Sequence, residues 1–182
     1  DKNNNIFIIE GDQDVWKSSD SGIIWRKVWT NFNGGNGNLF GLVLDSNNNL
    51  YAVDNQADVW SSSDSGITWS LVKDDYNAGA GNNADGMAID SNNVLYVLDL
   101  QDVWSSSDLG ISWTKINDDF NDAGDSENGK SIITDSNNYV YVIDGGEDVF
   151  KSTDSGATFT QTATNFNGAN GNFFGLVSDS NN

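Results

Sequence analysis

The chain of 182 residues has no cysteine, no histidine and no proline, and it has one methionine and one arginine. Without cysteine and histidine there can be no disulfide, zinc–thiolate site, cysteine nucleophile, or histidine-centred triad or metal cage. No run of about 18 apolar residues occurs, so no membrane-spanning helix is expected. The chain opens on Asp1, with neither a methionine nor a basic–apolar leader before it, which reads as a mature form or a fragment. Basic residues are scarce: 8 Lys and Arg stand against 27 Asp and Glu, a formal net charge of −19. Such a chain repels nucleic acid and anionic membranes; it suits cations, a cationic partner or high salt. The expectation is a secreted or cell-surface protein, prokaryotic, with no nucleic-acid partner and no membrane insertion. The length suits a single domain over 1–182.

What the chain has in abundance is repetition. Asp20, Asp64, Asp108 and Asp154 recur 44, 44 and 46 residues apart, within SSDSGIIW (18–25), SSDSGITW (62–69), SSDLGISW (106–113) and STDSGATF (152–159). A second marker keeps step: DKNNNIFIIE (1–10), DSNNNLYAVD (45–54), DSNNVLYVLD (90–99), DSNNYVYVID (135–144) and DSNN (179–182). Each period holds four short β-branched and aromatic runs separated by Gly, Asn, Asp and Ser, as at 40–45, 49–54, 58–63 and 67–72. No sustained 3.6-residue pattern competes with them. The fold expected is all-β: a β-propeller of four-stranded antiparallel blades, strands A to D, with repeats near 1–38, 39–83, 84–128 and 129–172. The chain starts at a B strand and ends just after an A-like run, FFGLVS (173–178). That run is expected to close a blade with the N-terminal B, C and D strands in a four-bladed ring. Two alternatives stay open. Either it serves another copy, as a homo-oligomer, larger ring or head-to-tail polymer, or the chain is a piece of a longer propeller.

The pattern Ser/Thr-x-Asp-x-Gly-x-x-Trp/Phe resembles the Asp-box, or BNR repeat, of the Asp-box β-propellers. That group includes sialidases, other glycoside hydrolases, sortilin-type receptors and photosystem-assembly factors. The matching residues are Ser18, Asp20, Gly22 and Trp25; Ser62, Asp64, Gly66 and Trp69; Ser106, Asp108, Gly110 and Trp113; and Ser152, Asp154, Gly156 and Phe159. Physical chemistry gives these residues a scaffolding role. Ser and Asp can bond the backbone of their own turn, Gly can take a positive φ, and the aromatic ring can pin the turn to the sheet. The resemblance likewise implies boxes set away from a catalytic face. Sialidases clamp their substrate with three arginines and attack it with a Tyr–Glu pair; Arg26 alone excludes that activity here. Repeats this uniform, without inserted loops, favour a scaffold over one asymmetric active site.

Function is therefore sought at the other end of the blades. The A–B and C–D turns share one end, the B–C and D–A connections the other, and most of the acids fall at the second. The D–A connection with Asp118, Asp119, Asp122, Asp125 and Glu127 is the candidate Ca²⁺ site, since calcium needs six to eight oxygens. Trp29 is the candidate ligand-stacking residue, because its repeat equivalents are Lys73, Asn117 and Ala163. Trp16, Trp60, Trp104 and Phe150 recur in strand C and are expected to pack between sheets. The expected function is a non-enzymatic binding or structural module whose acidic, calcium-binding face takes a glycan or protein ligand. The alternatives are a polysaccharide-directed module, lectin-like or related to glycoside hydrolases, and a self-assembling subunit that exchanges strands.

Overall fold

The computed structural model describes residues 1–10, 14–30, 38–79, 84–121, 127–165 and 175–178. The chain divides into two compact units, Asp1–Asn82 and Asn83–Asn182. The seam falls in a D–A connection, between the second and third repeats.

In the first unit, β1 (Ile6–Glu10), β2 (Asp14–Ser18) and β3 (Arg26–Trp29) form a three-stranded antiparallel sheet. β4 (Leu39–Leu44), β5 (Leu50–Asp54), β6 (Val59–Ser62) and β7 (Ser70–Lys73) form a four-stranded one, in sequence order. The second unit has two four-stranded sheets: β8 (Ala84–Ile89), β9 (Leu95–Asp99), β10 (Asp102–Ser106) and β11 (Thr114–Asn117), then β12 (Gly129–Thr134), β13 (Val140–Asp144), β14 (Val149–Ser152) and β15 (Thr160–Ala163). All these pairings are hairpins between sequence neighbours, the cheapest way to order a β chain.

The second strand of a sheet is buried on both faces. Every residue of β5 and of β9 is buried, as expected of a strand sandwiched between layers. In the first unit the core gathers Val15, Leu39, Leu50, Ala52 and Trp69, with Val28, Trp29 and Trp60 packed on it. In the second it gathers Tyr96, Leu98, Val103, Phe120, Ile132, Val142 and Phe150 among others. There Phe120 meets Phe150 and Phe159 edge-on, with ring centroids 5.2 and 6.0 Å away. Phe150 thus packs between sheets as expected, and Trp60 lies against the core of its unit. Trp16 and Trp104 are half-buried, each under a lysine, Lys27 at 5.2 Å and Lys115 at 5.5 Å from the ring.

Each octapeptide closes its own hairpin. Ser62 accepts from Gly66 N at 2.9 Å and donates to Asp64 Oδ1 at 2.9 Å. Asp64 in turn accepts from the Ile67 and Thr68 amides at 3.0 and 2.8 Å and from the Thr68 hydroxyl at 2.6 Å. Trp69 folds back and donates its indole N–H to Gly66 O at 3.1 Å; Trp25 and Trp113 do the same to Gly22 and Gly110 at 3.0 and 2.9 Å. Phe159 has no such donor; its ring packs on the core of the second unit, edge-on to Phe120. The residue before each glycine also has a positive φ, near 60° at Ser21, Ser65, Leu109 and Ser155, which gives two consecutive left-handed residues, as in a type I′ turn. Leu109 stands in that conformation where the other three turns have serine. Leu109→Asn is expected to raise stability by about 0.5–1 kcal/mol, read as a higher melting temperature, because asparagine tolerates the left-handed region far better than leucine.

The C–D ladders share an irregularity. In all four sheets the pairing skips one residue of the last strand: Val28, Val72, Ile116 and Thr162. Such a β-bulge redirects a side chain. In the first unit it sets Val28 against the octapeptide of the following sheet, where a Cβ built on Gly66 would lie 3.2 Å from it. In the second unit Ile116 faces Gly156 in the same way, at 2.6 Å from such a Cβ. Bulge and glycine form a knob and a seat, and this gives the octapeptide glycine a second role beyond its positive φ.

Residues 175–178 form no ladder. They lie against β12, with Leu176 N donating to Ser131 Oγ at 3.2 Å and Ser178 Oγ to Thr134 O at 3.0 Å. The second contact copies the one by which Thr134 Oγ1 reaches Ile89 O on β8, at 2.6 Å. The segment thus stands where the first strand of a further sheet would begin.

Candidate functional site

The end of the sheets opposite the octapeptides carries most of the acids, and the structure assigns many of them a structural task. Asp54 accepts from the Gln56 and Asp58 amides at 2.9 and 3.0 Å, and Asp144 from the Asp148 amide at 2.9 Å. This is the staple that Asp1, Asp45, Asp90 and Asp135 make at the other end, where Asp45 takes the Asn47 and Asn49 amides at 2.8 Å. Asp14, Asp54, Asp58, Asp99, Asp144, Glu147 and Asp148 are all buried. These seven acids are therefore not open negative surface, whatever the composition of this end of the sheets implies.

The aspartate at the start of each C strand, or just before it, shows how partners tune these carboxylates. Asp14 is held by Lys27, whose hydrogen bond keeps the carboxyl below the usual range. Asp102 is held by Lys115 at 2.6 Å, and Asp148 by Gln161. In the second sheet the equivalent of Lys27 is Leu71, and Asp58 is pushed up, chiefly by burial and then by Asp54 and Asp74 nearby, against the help of the Asp75 amide at 3.0 Å.

The candidate calcium ligands come together only in part. Asp118 is tied to Lys115 at 2.9 Å, so a cation already faces it. Asp119 has a positive φ of 74°, and Glu127 is exposed, its backbone carbonyl accepting from the Asn121 side-chain Nδ2 at 3.0 Å. Asp122 and Asp125 lie outside the described residues. Among the described residues no three acids group as a metal site would require. Trp29 packs against the core of the first unit and is half-buried.

The octapeptide aspartates point into their own turns. The Ser112 and Thr158 hydroxyls, with their amides, hold Asp108 and Asp154 down to about 2. Asp20 is lowered mainly by the Ile24 amide, because Ile24 stands where the other turns have Thr68, Ser112 and Thr158. Ile24→Thr is expected to add the missing hydroxyl contact, raise the melting temperature, and lower the Asp20 titration midpoint towards that of Asp108 in a carboxylate NMR titration.

A second bulge, in the first strand of each four-stranded sheet, supplies the strongest site candidate. The ladders skip Phe40, Asp85 and Lys130. The backbone feature is constant while the side chain it presents is aromatic, acidic or basic. In the second unit Asp85 is half-buried, takes the Leu100 amide at 3.0 Å, and sits within electrostatic reach of Lys130 and Asp99. Burial pushes its carboxyl up to about 6, over the opposing pull of the amide and Lys130. Phe40 in the first unit is 44% exposed. Sequence reasoning passed over these positions, although aligning the four repeats column by column exposes the variation at the second residue of strand A.

No family model matches the chain, and no curated protein matches it. Solved structures do. The GH74 enzyme of Niastella koreensis superposes with a TM-score of 0.65 at 22% identity, over 90% of this chain and 29% of that one. A nidogen/laminin complex gives 0.67 at 16% identity, over 88% and 61%, and YCF48 bound to D1 peptide gives 0.58 at 12% identity, over 86% and 48%. These are β-propellers. The fold is that of a β-propeller. Its sheets are therefore blades, and the chain spans between 29% and 61% of the length of these three neighbours. Among the described residues no helix is long and apolar enough to cross a membrane.

Proposed function

We propose that the chain is a non-enzymatic binding module of the Asp-box propeller kind, secreted or at the cell surface, which takes a protein or glycan ligand at the rim formed by its B–C and D–A connections. The observation that carries this reading is the strand-A bulge: one fixed backbone device presents Phe40, Asp85 and Lys130. A scaffold that keeps a conformation and varies only its side chain behaves as a recognition surface. The stapled aspartates support the non-enzymatic part, because a carboxylate committed to backbone amides is a poor proton donor or nucleophile. The neighbours lend general support: one was solved with a peptide and one in a protein complex, while another is a glycoside hydrolase.

Peptide and glycan arrays probed with the wild type and with an Asp85→Ala/Lys130→Ala double variant test this. Binding lost in a variant that still melts in one cooperative transition supports the rim. Release of reducing ends from polysaccharide by the pure protein would replace the reading with a polysaccharide-cleaving one. The proposal extends to calcium at the 118–127 connection: a melting temperature that rises with calcium and not with magnesium supports it, and no rise removes calcium from the reading.

A further inference from the structure

The second blade repeats a lysine site of its neighbours with a leucine in place of the lysine. In the third blade the Lys115 ammonium lies between two carboxylates, Asp102 at 2.6 Å and Asp118 at 2.9 Å, and 5.5 Å from the centre of the Trp104 ring. The first blade builds a similar arrangement around one acid. Lys27 bonds Asp14 and stands 5.2 Å from the centre of the Trp16 ring, while Thr30, in the place of Asp118, bonds Asp14 as well. Counted from the octapeptide aspartate, the second blade has Asp58, Trp60 and Asp74 at the positions of Asp102, Trp104 and Asp118, and Leu71 at that of Lys115. It keeps both carboxylates and the ring. Of the four residues, the one that changes is the one that supplies the positive charge between them.

The frame around that position is intact. Trp60 pairs with Leu71 across the ladder as Trp104 pairs with Lys115. The Trp60 indole N–H donates to Asp54 at 3.1 Å, as that of Trp16 does to Glu10 at 2.9 Å, so the ring is held as in the first blade. Asp58 is buried and fixed by the Asp75 amide at 3.0 Å, Asp74 is exposed within hydrogen-bond reach of it, and Leu71 is 46% exposed. Lys73 does not replace the missing lysine: it pairs with Val59, one residue before Trp60, and so belongs to the other face of the sheet. The carboxylates register the difference. Hydrogen bonds from lysine hold Asp14 and Asp118 below the usual range, whereas Asp58 is raised, chiefly by burial, with Asp54 and Asp74 adding to it. Two neighbouring carboxylates oppose each other's ionisation until a cation comes between them.

We infer that Asp58 and Asp74, beside the Trp60 ring, bind the ammonium group of a lysine side chain from a protein partner, with Leu71 packing against its aliphatic stem. The partner's lysine takes the place that Lys115 fills from within the third blade. The chemistry of the site selects this ligand. Calcium needs six to eight oxygens, and an indole ring and a leucine add none. An ammonium on an aliphatic stem uses every part: the carboxylates answer its charge, the ring face attracts it, and Leu71 covers its methylenes. The inference rests on the rim reading only for the partner's being a protein. Asp85 and Lys130 belong to the other unit, so the array test of the rim succeeds or fails apart from this one.

The probe is a Gly-Gly-Lys-Gly-Gly peptide with blocked ends, and its Nε-acetyl-lysine form is the uncharged control. Each is titrated into the full chain and followed by the NMR signals of the Trp60 indole N–H and the Asp75 amide. Leu71→Lys fills the site from within. Ile67→Lys, at a position 57% exposed in the octapeptide turn, adds the same charge elsewhere. Both signals should shift saturably with the lysine peptide in the wild type and in Ile67→Lys, and should not move with the acetylated peptide. Affinity should fall about tenfold in Leu71→Lys and in Asp74→Asn. Leu71→Lys should also melt about 2–4 °C above Ile67→Lys, because it closes the pair that Lys115 closes in the third blade. Equal affinity in Leu71→Lys and Ile67→Lys would overturn the inference, since it would show only a general attraction to an acidic chain. So would shifts that persist with the acetylated peptide, or no saturable shift in the wild type. Calcium chloride moving the same two signals at a lower concentration than the peptide would overturn it in favour of a metal ion.

Discussion

Gly156→Ala is expected to destabilise the protein by about 2–4 kcal/mol, while the same change at Gly22 costs about 1 kcal/mol. Both glycines have a φ of +87° and occupy the same place in the octapeptide turn, so the left-handed backbone charges the two variants alike. The difference is the seat. An added Cβ at Gly156 would come within 2.6 Å of Ile116 Cδ1 and 3.7 Å of Val103, in a packed core, whereas at Gly22 the nearest atoms are 3.9 Å away. Interiors packed at crystal-like density resist even one methyl group. Gly66→Ala should fall between them, since the nearest atom, Val28 Cγ2, lies at 3.2 Å. Melting temperatures measured at low protein concentration check the order Gly22, Gly66, Gly156. Equal losses at all three positions would show that the glycine serves the turn alone and that blades do not lock through it. A companion change, Ile116→Ala with Gly156→Ala, should recover part of the loss by making room, a coupling that a purely local turn effect cannot produce.

The octapeptide and the A–B turns were legible in the sequence because their interactions are local. Asp64 reaches only as far as Thr68, and Asp45 only as far as Asn49, so residue spacing determines who can meet. The same logic was present, unread, in the B–C turns: Asp54 to Asp58 and Asp144 to Asp148 repeat the i to i+4 spacing of Asp45 to Asn49. Reading those acids as free surface charge overlooked that a carboxylate two and four residues before backbone amides staples a turn wherever it stands. The bulges were not legible. A skipped residue such as Val28 or Asp85 follows from the register of two strands, and no local pattern in either strand announces it. Nor was the burial of Trp29 legible, since its value as a packing residue depends on Leu39, Leu50 and Trp69 from the following blade. The bulk of the scaffold is thus encoded in short-range chemistry, while the rim and the blade seats are set by pairing between segments.

Stability should rise as the solution is acidified from pH 7 towards pH 4.5, and Asp85→Asn should remove much of that rise. Burial raises the folded pKa of Asp85 to about 6, from the ordinary aspartate value of 3.8. A raised acid favours the folded state where it is protonated: its stabilising effect is complete below the unfolded pKa and fades as pH climbs through 3.8 to 6. At neutral pH the folded chain therefore holds a half-buried carboxylate that costs about 1–2 kcal/mol after allowance for solvent screening. Asparagine keeps an oxygen for the Leu100 amide and carries no charge, so Asp85→Asn should gain about that amount at pH 7 and little at pH 4.5. Burial raises Asp58 in the same direction, which leaves a smaller acid-side gain in the variant. The octapeptide aspartates set the lower limit. Asp108 and Asp154 are lowered to about 2, so their contribution is present above pH 3.8 and is lost only as pH falls towards 2. Thermal melts across pH 2–8 should therefore show a maximum between about 4 and 5 for the wild type, with a steep fall below 3 common to both proteins. A wild type whose stability declines steadily from pH 7 downward would show that Asp85 is solvated like any surface carboxylate, and would remove it from the rim as the group poised near neutrality.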